Sequence, residues 1–209
     1  MKKFIGLVLA AVIFCIVVSC TSDADTSSTG AVGSETESNG SKAIEKEYAV
    51  GDTGPAGGII FYDDEADGKD DIPGFRYLEA APATYGNKEL AWGEKGIIVP
   101  GADKTALGTG AQNTKDLIQH QGEDSDYAAA YCAEIVIGEY DDWYMPSKDE
   151  LDLLVEVLYK NGFGDFEPYY HWSSSERSDI NAWGQHFFNS VQSSYPKVLP
   201  YRVRPVRAF

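Results

Sequence analysis

Hydrophobic and polar positions divide the chain into three parts. Residues 4–18 form an almost unbroken apolar run. Residues 21–47 contain no aromatic side chain and consist mostly of Ser, Thr, Gly, Asp and Glu. Such a segment buries too little apolar surface to offset the entropy lost on ordering, which predicts a flexible tether. Aromatic residues begin at Tyr48, so residues 48–209 are predicted to form one domain with its own core.

The apolar spacing that follows residue 147 predicts the clearest helix. Ser147 and Glu150 stand at the positions of a capping box, in which each side chain accepts a hydrogen bond from the other residue's backbone N–H. Four apolar residues at helical spacing and two terminating glycines follow: Leu151, Leu154, Val155, Leu158, Gly162 and Gly164. Two further helices are predicted over 113–121, where Asn113 can cap the first turn, and over 126–137.

Short runs of β-branched and aromatic residues predict the strands. Residues 57–62 and 75–79 flank an acidic loop and should pair as a hairpin. Later strands are predicted over 170–174, 182–191 and 201–209. Because the predicted helices lie between the early and the late strands, the pattern indicates an α+β fold with mixed or antiparallel sheets and two to three helices.

The amino-terminal pattern is that of an export signal. Lys2 and Lys3 precede the apolar run, and the small residue Ser19 stands directly before Cys20. These features predict a secretory signal in residues 1–19. A cysteine directly after the cleavage point is typical of bacterial lipoproteins, so Cys20 is the predicted lipidation site.

Residues 20–47 would then link the lipid to the domain, and the predicted location is the bacterial cell envelope, with the membrane bound through the N-terminal lipid. A membrane-spanning anchor is disfavoured, because the apolar run is shorter than the about 20 residues that a span needs.

Charge and cysteine content narrow the range of partners. Loss of residues 1–19 removes two lysines and no acidic residue, which leaves 15 basic and 33 acidic residues and a net charge of −18. A field of this sign repels nucleic acid and anionic lipid headgroups. With Cys15 removed and Cys20 lipidated, Cys132 has no disulfide partner, and its apolar neighbours favour a buried, inert thiol.

The acidic loop between the first two predicted strands is a candidate calcium site. Asp63, Glu65 and Asp67 alternate, and Gly68 stands at the sixth position, as at the start of an EF-hand loop. The twelfth position is Gly74, where that loop requires a bidentate glutamate. A solvated hairpin tip is therefore favoured. Weak calcium binding is the alternative, and no other cofactor is predicted.

The sequence contains no pattern that indicates catalysis. His120, His171 and His186 are not spaced as a helical metal-binding pair. Three serines at 173–175 lie near His171, but the Gly-x-Ser-x-Gly motif that would expose a nucleophile is absent. We therefore predict that the protein is not an enzyme.

Aromatic residues crowd the last third of the chain, where polar side chains surround them. Flat rings with a polar rim are what sugar-binding surfaces use. The candidate ligand-binding residues are Tyr169, Tyr170, Trp172, Trp183, Gln185, Asn189 and Tyr195. The alternative is core packing, since strands bury alternate aromatic side chains, and this alternative is strongest for Trp172 and Trp183.

Several separated motifs together resemble a known family. The motifs are VGDTGPAGGIIFY at 50–62, YLEAAP at 77–82, DDWYMPSKDEL at 141–151, WSSSE at 172–176 with AW at 182–183, and VRPVRAF at 203–209. In this order they resemble the Lcl C-terminal domain family, named for the C-terminal domain of a bacterial collagen-like adhesin. The resemblance covers residues 48–209.

The resemblance implies a fold related to C-type lectins and formylglycine-generating enzymes. It also implies a role in surface attachment, with sulfated glycans as ligands of the namesake. The present sequence lacks the collagen-like repeat, and its acidity disfavours a polyanionic glycan. Tyr169 follows Glu167 and Pro168 where the lectin calcium motif would need asparagine, and the reactive cysteine pair of the enzyme relatives is missing.

The resulting hypothesis is a lipid-anchored, exported binding module that recognises a glycan or an envelope or host protein. Two alternatives belong to other classes. One is an enzyme related to sulfatase-modifying factors, and the other is a structural envelope lipoprotein without a small ligand.

Overall fold

The computed structural model describes residues 46–66, 68–123 and 126–209. Residues Glu45–Phe209 form one compact unit. The predicted signal, the predicted lipidation site Cys20 and nearly all of the predicted tether lie outside the described residues. Within the described ranges, no helix combines the length and apolar character that a bilayer crossing requires.

Strands open and close the described chain, and helices occupy its middle. The elements are β1 (Ile59–Asp63), β2 (Tyr77–Ala80), β3 (Glu89–Leu90), α1 (Gly110–Gln121), α2 (Ala128–Glu134), α3 (Lys148–Leu153), β4 (Tyr170–Glu176), β5 (Asn181–His186), β6 (Val191–Pro196), β7 (Tyr201–Arg202) and β8 (Val206–Ala208). All three α-helices lie between β3 and β4. The predicted α+β class and the grouping of its helices are therefore confirmed.

The strands form two sheets. The first is antiparallel, in the order β1-β2-β8, and it contains the predicted hairpin, with Ile59 opposite Ala80. The second sheet has the order β3-β7-β4-β5-β6. It is mixed, because β4 pairs in parallel with β7 while the other pairs are antiparallel.

The single strand predicted over 182–191 is wrong, because the chain reverses within it. Residues 187–190 form a turn that separates β5 from β6. Asn189 Oδ1 accepts the backbone N–H of Val191 at 3.1 Å, and Ser190 adopts a left-handed φ of 57°. Asparagine favours such turns because its side chain can replace a backbone acceptor.

The last predicted strand, over 201–209, is also divided. Its two ends form β7 and β8, which belong to different sheets. Pro205 lies between them and has no N–H to donate to a ladder. The end of the chain therefore crosses from the second sheet to the first.

The first helix begins earlier than its sequence pattern predicts. α1 starts at Gly110, so Asn113 lies inside the helix and does not cap it. Its side chain is buried, and Nδ2 donates to the Lys104 carbonyl oxygen at 2.7 Å. The predicted cap is therefore wrong, because a long-range contact outside the helix takes the side chain that could have capped it.

The capping box of α3 is confirmed. Ser147 N–H donates to Glu150 Oε2 at 2.7 Å, and Glu150 N–H donates to Ser147 Oγ at 3.2 Å. The helix continues as a π-helical turn over Leu154–Leu158 and a 3-10 turn over Tyr159–Asn161. Gly162 ends it in the left-handed conformation, at φ 74°.

Two apolar clusters form most of the core. The four apolar residues predicted on one face of the third helix are all fully buried, and they pack with Phe61 and Phe187. The other cluster joins the second sheet to the first two helices around Trp92, Leu117 and Trp172. Each side chain of this size contributes about 1.5–3 kcal/mol on full burial.

Candidate functional site

Three tyrosines meet on one face of the second sheet. The rings of Tyr170 on β4 and Tyr201 on β7 are stacked, with 4.7 Å between their centroids. Tyr195 on β6 meets both rings edge-on, at 5.2 Å from Tyr170 and 5.4 Å from Tyr201. All three side chains are half-buried. We call these three residues the tyrosine cluster.

The strand register explains why the rings meet. Side chains on a strand alternate between faces, so Tyr170 and Trp172 share one face of β4. Gly184 on β5 lies opposite Trp172, and a Cβ atom there would be 2.9 Å from the His171 carbonyl oxygen. It would also lie within 3.4 Å of Trp172 and Tyr195 ring atoms. The missing side chain therefore lets these two rings approach across β5.

Trp172 is the floor of the cluster and not part of its surface. Its side chain is fully buried, and its ring centroid lies 4.6 Å from that of Tyr201. The indole N–H donates to the carbonyl oxygens of Leu90 at 3.0 Å and Leu199 at 3.3 Å. Burial therefore excludes direct ligand contact by Trp172, and the core-packing alternative is correct for this residue.

An exposed turn borders the tyrosine cluster. The His186 ring lies 4.3 Å from that of Tyr170, and its Nδ1 is 3.1 Å from Asn189 Oδ1. Phe188 is 74% exposed, and its ring lies 6.5 Å from that of His186. An aromatic edge with polar groups beside it therefore adjoins the three phenols. We call the cluster together with His186, Phe188 and Asn189 the tyrosine surface.

Burial keeps the phenols of Tyr195 and Tyr201 protonated at neutral pH. Burial raises the pKa of Tyr201 to about 12, and the nearby Tyr170 and Tyr195 contribute to the shift. Burial also raises the pKa of Tyr195, with a further contribution from Tyr170. Neutral hydroxyls both donate and accept hydrogen bonds, so Tyr195 and Tyr201 offer polar contacts without carrying charge.

The remaining predicted site residues lie elsewhere. Trp183 points to the opposite face of β5, where Lys148 Nζ lies 5.4 Å from its ring centroid. Gln185 is fully buried and donates to Asp152 Oδ1 at 2.7 Å, so it cannot contact a ligand. Tyr169 is 51% exposed, but its ring lies 4.1 Å from the Arg202 guanidinium and not among the three tyrosines.

Three residues of the tyrosine surface are missing from the sequence-based set: Tyr201, His186 and Phe188. Phe188 lies in the turn at 187–190, which the predicted strand over 182–191 did not contain. Tyr201 joins the cluster because β7 pairs in parallel with β4, a long-range arrangement without a local signal. His186 faces Tyr170 directly across the ladder, in the register that the unpredicted turn at 187–190 establishes. Alternation along a correctly bounded β5 would have placed His186 on the face of Tyr195.

His171 occupies the opposite face of β4 and is a buried neutral imidazole. Its ring stacks on Phe187, with 4.0 Å between centroids. Nδ1 lies 3.2 Å from the Tyr169 carbonyl oxygen. Burial, with a smaller contribution from the nearby Arg204, lowers the pKa of His171 to about 3.

We expect this imidazole to make stability depend on pH. Between its unfolded pKa of 6.5 and its folded pKa of about 3, the unfolded chain binds a proton that the native state excludes. The stability that neutral His171 contributes to the folded state is therefore fully present above pH 6.5 and is lost as pH falls towards the folded pKa. Denaturant unfolding of wild type and His171→Gln should differ most near neutral pH. The difference should shrink by about 2 kcal/mol towards about pH 5. A pH-independent difference would contradict the assignment.

In the predicted calcium loop, the carboxylates of Asp63 and Glu65 are paired with the guanidinium of Arg76. Arg76 Nε donates to Asp63 Oδ1 at 2.9 Å, and its Nη1 lies 2.9 Å from Glu65 Oε2. Asp67 lies outside the described residues. Across the described ranges, no three His, Cys, Asp or Glu side chains group so that they could hold a metal ion.

Cys132 is a free, fully buried thiol. Burial raises the pKa of this thiol well above its ordinary value. A protonated thiol without access to solvent is a poor nucleophile. The packing around Cys132 therefore matches the inert thiol that its apolar sequence neighbours predict.

The fold and the site define a class: an α+β module with an aromatic surface on a mixed sheet. The family model of the Lcl C-terminal domain matches residues 86–207, which are more than half of the 209 residues. The chain therefore belongs to the Lcl C-terminal domain family, as its motifs indicated. The matched range begins after β2, although β2 pairs with β8 inside the same compact unit. No curated protein matches the chain.

Proposed function

We propose that this protein is a surface-attached recognition module that binds a glycan through the tyrosine surface. The observation that carries the proposal is the meeting of three half-buried tyrosines beside the exposed turn of β5 and β6. We further propose that the fold is of the C-type-lectin-like type, as the resemblance to the adhesin family implies.

A neutral glycan fits the chemistry of this surface. Sugar rings present apolar C–H faces that stack on aromatic rings and hydroxyls that pair with polar groups at the rim. The protonated phenols of Tyr195 and Tyr201 offer both kinds of contact without a charge. The net charge of the chain, −16, disfavours sulfated or otherwise polyanionic glycans.

Attachment to the bacterial envelope is the second part of the proposal. It rests on the export signal of residues 1–19 and on Cys20 directly after it. The family's namesake is an adhesin, which agrees with a module held at a surface. Intact mass of the chain purified from bacterial membranes should show loss of residues 1–19 and added acyl mass. A full-length, unmodified chain would contradict this part alone.

Glycan binding should depend on Tyr195 more than on Tyr169. We expect the full chain, purified in mild detergent, to bind at least one neutral glycan on an array. Tyr195→Ala should weaken that binding about tenfold, because it removes one ring and one hydroxyl from the cluster. Tyr169→Ala is the matched control, since it removes an exposed tyrosine outside the cluster and should leave affinity within about twofold.

Two results would count against this proposal. Absence of binding across a broad array would favour a structural envelope lipoprotein without a small ligand. Equal losses in the two variants would show that the tyrosine cluster is not the site. Repeating the array with calcium and with a chelator tests the calcium alternative at the same time.

A further inference from the structure

A pocket lies away from the tyrosine surface, between α1 and the loops that flank the first sheet. Its volume is about 370 Å³. Its walls come from the loop that contains Ile72 and Phe75, from α1, and from Trp143 and Tyr144. Pockets of this size and apolar character commonly hold small molecules.

The wall of the pocket is apolar, and its side chains are packed into the core. Ile72, Trp143 and Tyr144 are almost completely buried, so the pocket wall is a firm part of the core. Phe75 is 52% exposed and stands at the solvent side of the wall. An apolar group that entered the pocket would therefore cover a large hydrophobic side chain that is now exposed.

Most polar groups that line the pocket are already paired within the protein. Asp142 accepts two hydrogen bonds from Arg207, at 2.7 and 2.9 Å. The Thr114 hydroxyl donates to the Gly110 carbonyl oxygen at 2.8 Å. The Trp143 indole N–H donates to the Tyr140 carbonyl oxygen at 3.2 Å. These groups therefore hold the wall in place and are not free to select a ligand.

Two charged residues of the lining differ from this pattern. Lys115 on α1 and Asp141 are both exposed, and neither forms an ion pair or side-chain hydrogen bond among the described residues. They also do not pair with each other. The pocket thus combines an apolar interior with one available ammonium and one available carboxylate.

We propose that this pocket binds a free α-amino acid with an apolar side chain, such as phenylalanine. The side chain would fill the apolar interior, Asp141 would receive the ammonium, and Lys115 would receive the carboxylate. A zwitterion uses both charges of the pocket and adds no net charge to a strongly acidic protein. This site is independent of the tyrosine surface and of the proposed glycan function.

Isothermal titration calorimetry of the full chain in mild detergent tests the proposal. L-phenylalanine should bind, and N-acetyl-L-phenylalanine amide, which lacks both charges, should bind at least tenfold more weakly. Lys115→Met and Asp141→Asn should each weaken phenylalanine binding about tenfold or more. Ala111→Phe, which places a ring at the pocket wall, should abolish it. Thermal unfolding of each variant establishes that it is folded.

Tyr195→Ala tests whether the pocket is independent of the tyrosine surface. It should leave phenylalanine binding unchanged even where glycan binding is lost. No heat with phenylalanine at millimolar concentrations would overturn the proposal. Equal affinity for the uncharged analogue, or full binding by folded Ala111→Phe, would overturn it as well. None of these results bears on the glycan site.

Discussion

Arg207→Met is expected to lower the free energy of unfolding by about 3–5 kcal/mol. Arg207 lies on β8, and its Nη1 donates to Glu79 Oε2 at 3.2 Å. Glu79 is fully buried, so the substitution would leave a carboxylate in the core without its cation. Backbone N–H groups of Ala56 and Gly58 still contact this carboxylate, at 3.2 and 2.7 Å, but they do not neutralise its charge.

Chemical denaturation measures this loss, and Lys160→Met is the matched control. Lys160 pairs with Glu156 one helical turn away, and both side chains are 46% exposed. Exposed pairs at this spacing contribute about 0.3–0.5 kcal/mol. A similar loss in the two variants would show that the Arg207 pair adds no more to stability than a surface pair does.

Trp172→Ala is expected to cost a similar amount, about 3–5 kcal/mol, and to disorder the tyrosine cluster. Truncation leaves a large cavity and removes the N–H that serves the Leu90 and Leu199 carbonyl oxygens. It also removes the ring on which Tyr201 rests. Calorimetric unfolding measures the first effect, and glycan affinity measures the second.

Two control variants separate the loss of the buried Trp172 ring from the loss of its hydrogen bonds and from the loss of any tryptophan. Trp172→Phe retains a six-membered ring, so it should lose the hydrogen bonds and leave only a small cavity, at a total cost of about 2 kcal/mol. Trp183→Ala removes a half-buried tryptophan from the other face of β5 and should cost less than Trp172→Ala. A loss below about 1 kcal/mol in Trp172→Ala would contradict the role of this residue as the floor of the cluster.

Features governed by neighbouring residues could be predicted from the sequence. The capping box of Ser147 and Glu150 and the apolar face that follows depend on contacts three to four residues apart. The first hairpin likewise depends on two adjacent runs and the loop between them. Such elements leave a local pattern, and the structure confirms them.

Features governed by long-range contacts could not be predicted in this way. Tyr201 reaches Tyr170 only because β7 inserts between β3 and β4, which no local spacing encodes. Asn113 has the composition of a helix cap, yet its amide serves the Lys104 carbonyl oxygen and Ser174 Oγ. The pocket beside α1 likewise depends on long-range contacts, since loops, α1 and β8 contribute its wall.

The aromatic residues that suggested a sugar-binding surface therefore lie on two opposite faces of the second sheet. Tyr170 and Tyr195 share one face, and Trp183 lies on the other. Alternation within a strand predicts such a separation once register is known, but the register depended on an unpredicted turn. The site consequently retains only Tyr170, Asn189 and Tyr195 of the sequence-based set, and it adds Tyr201, His186 and Phe188.

The most direct test of the recognition surface is an NMR titration of the full chain in mild detergent with ring-labelled tyrosines. Single Tyr→Phe variants would assign the signals, and the titrant would be the neutral glycan that binds best on the array. The ring signals of Tyr170, Tyr195 and Tyr201 should shift together, while those of Tyr48 and Tyr85 stay fixed. A glycan that binds without moving these three signals would contradict the account.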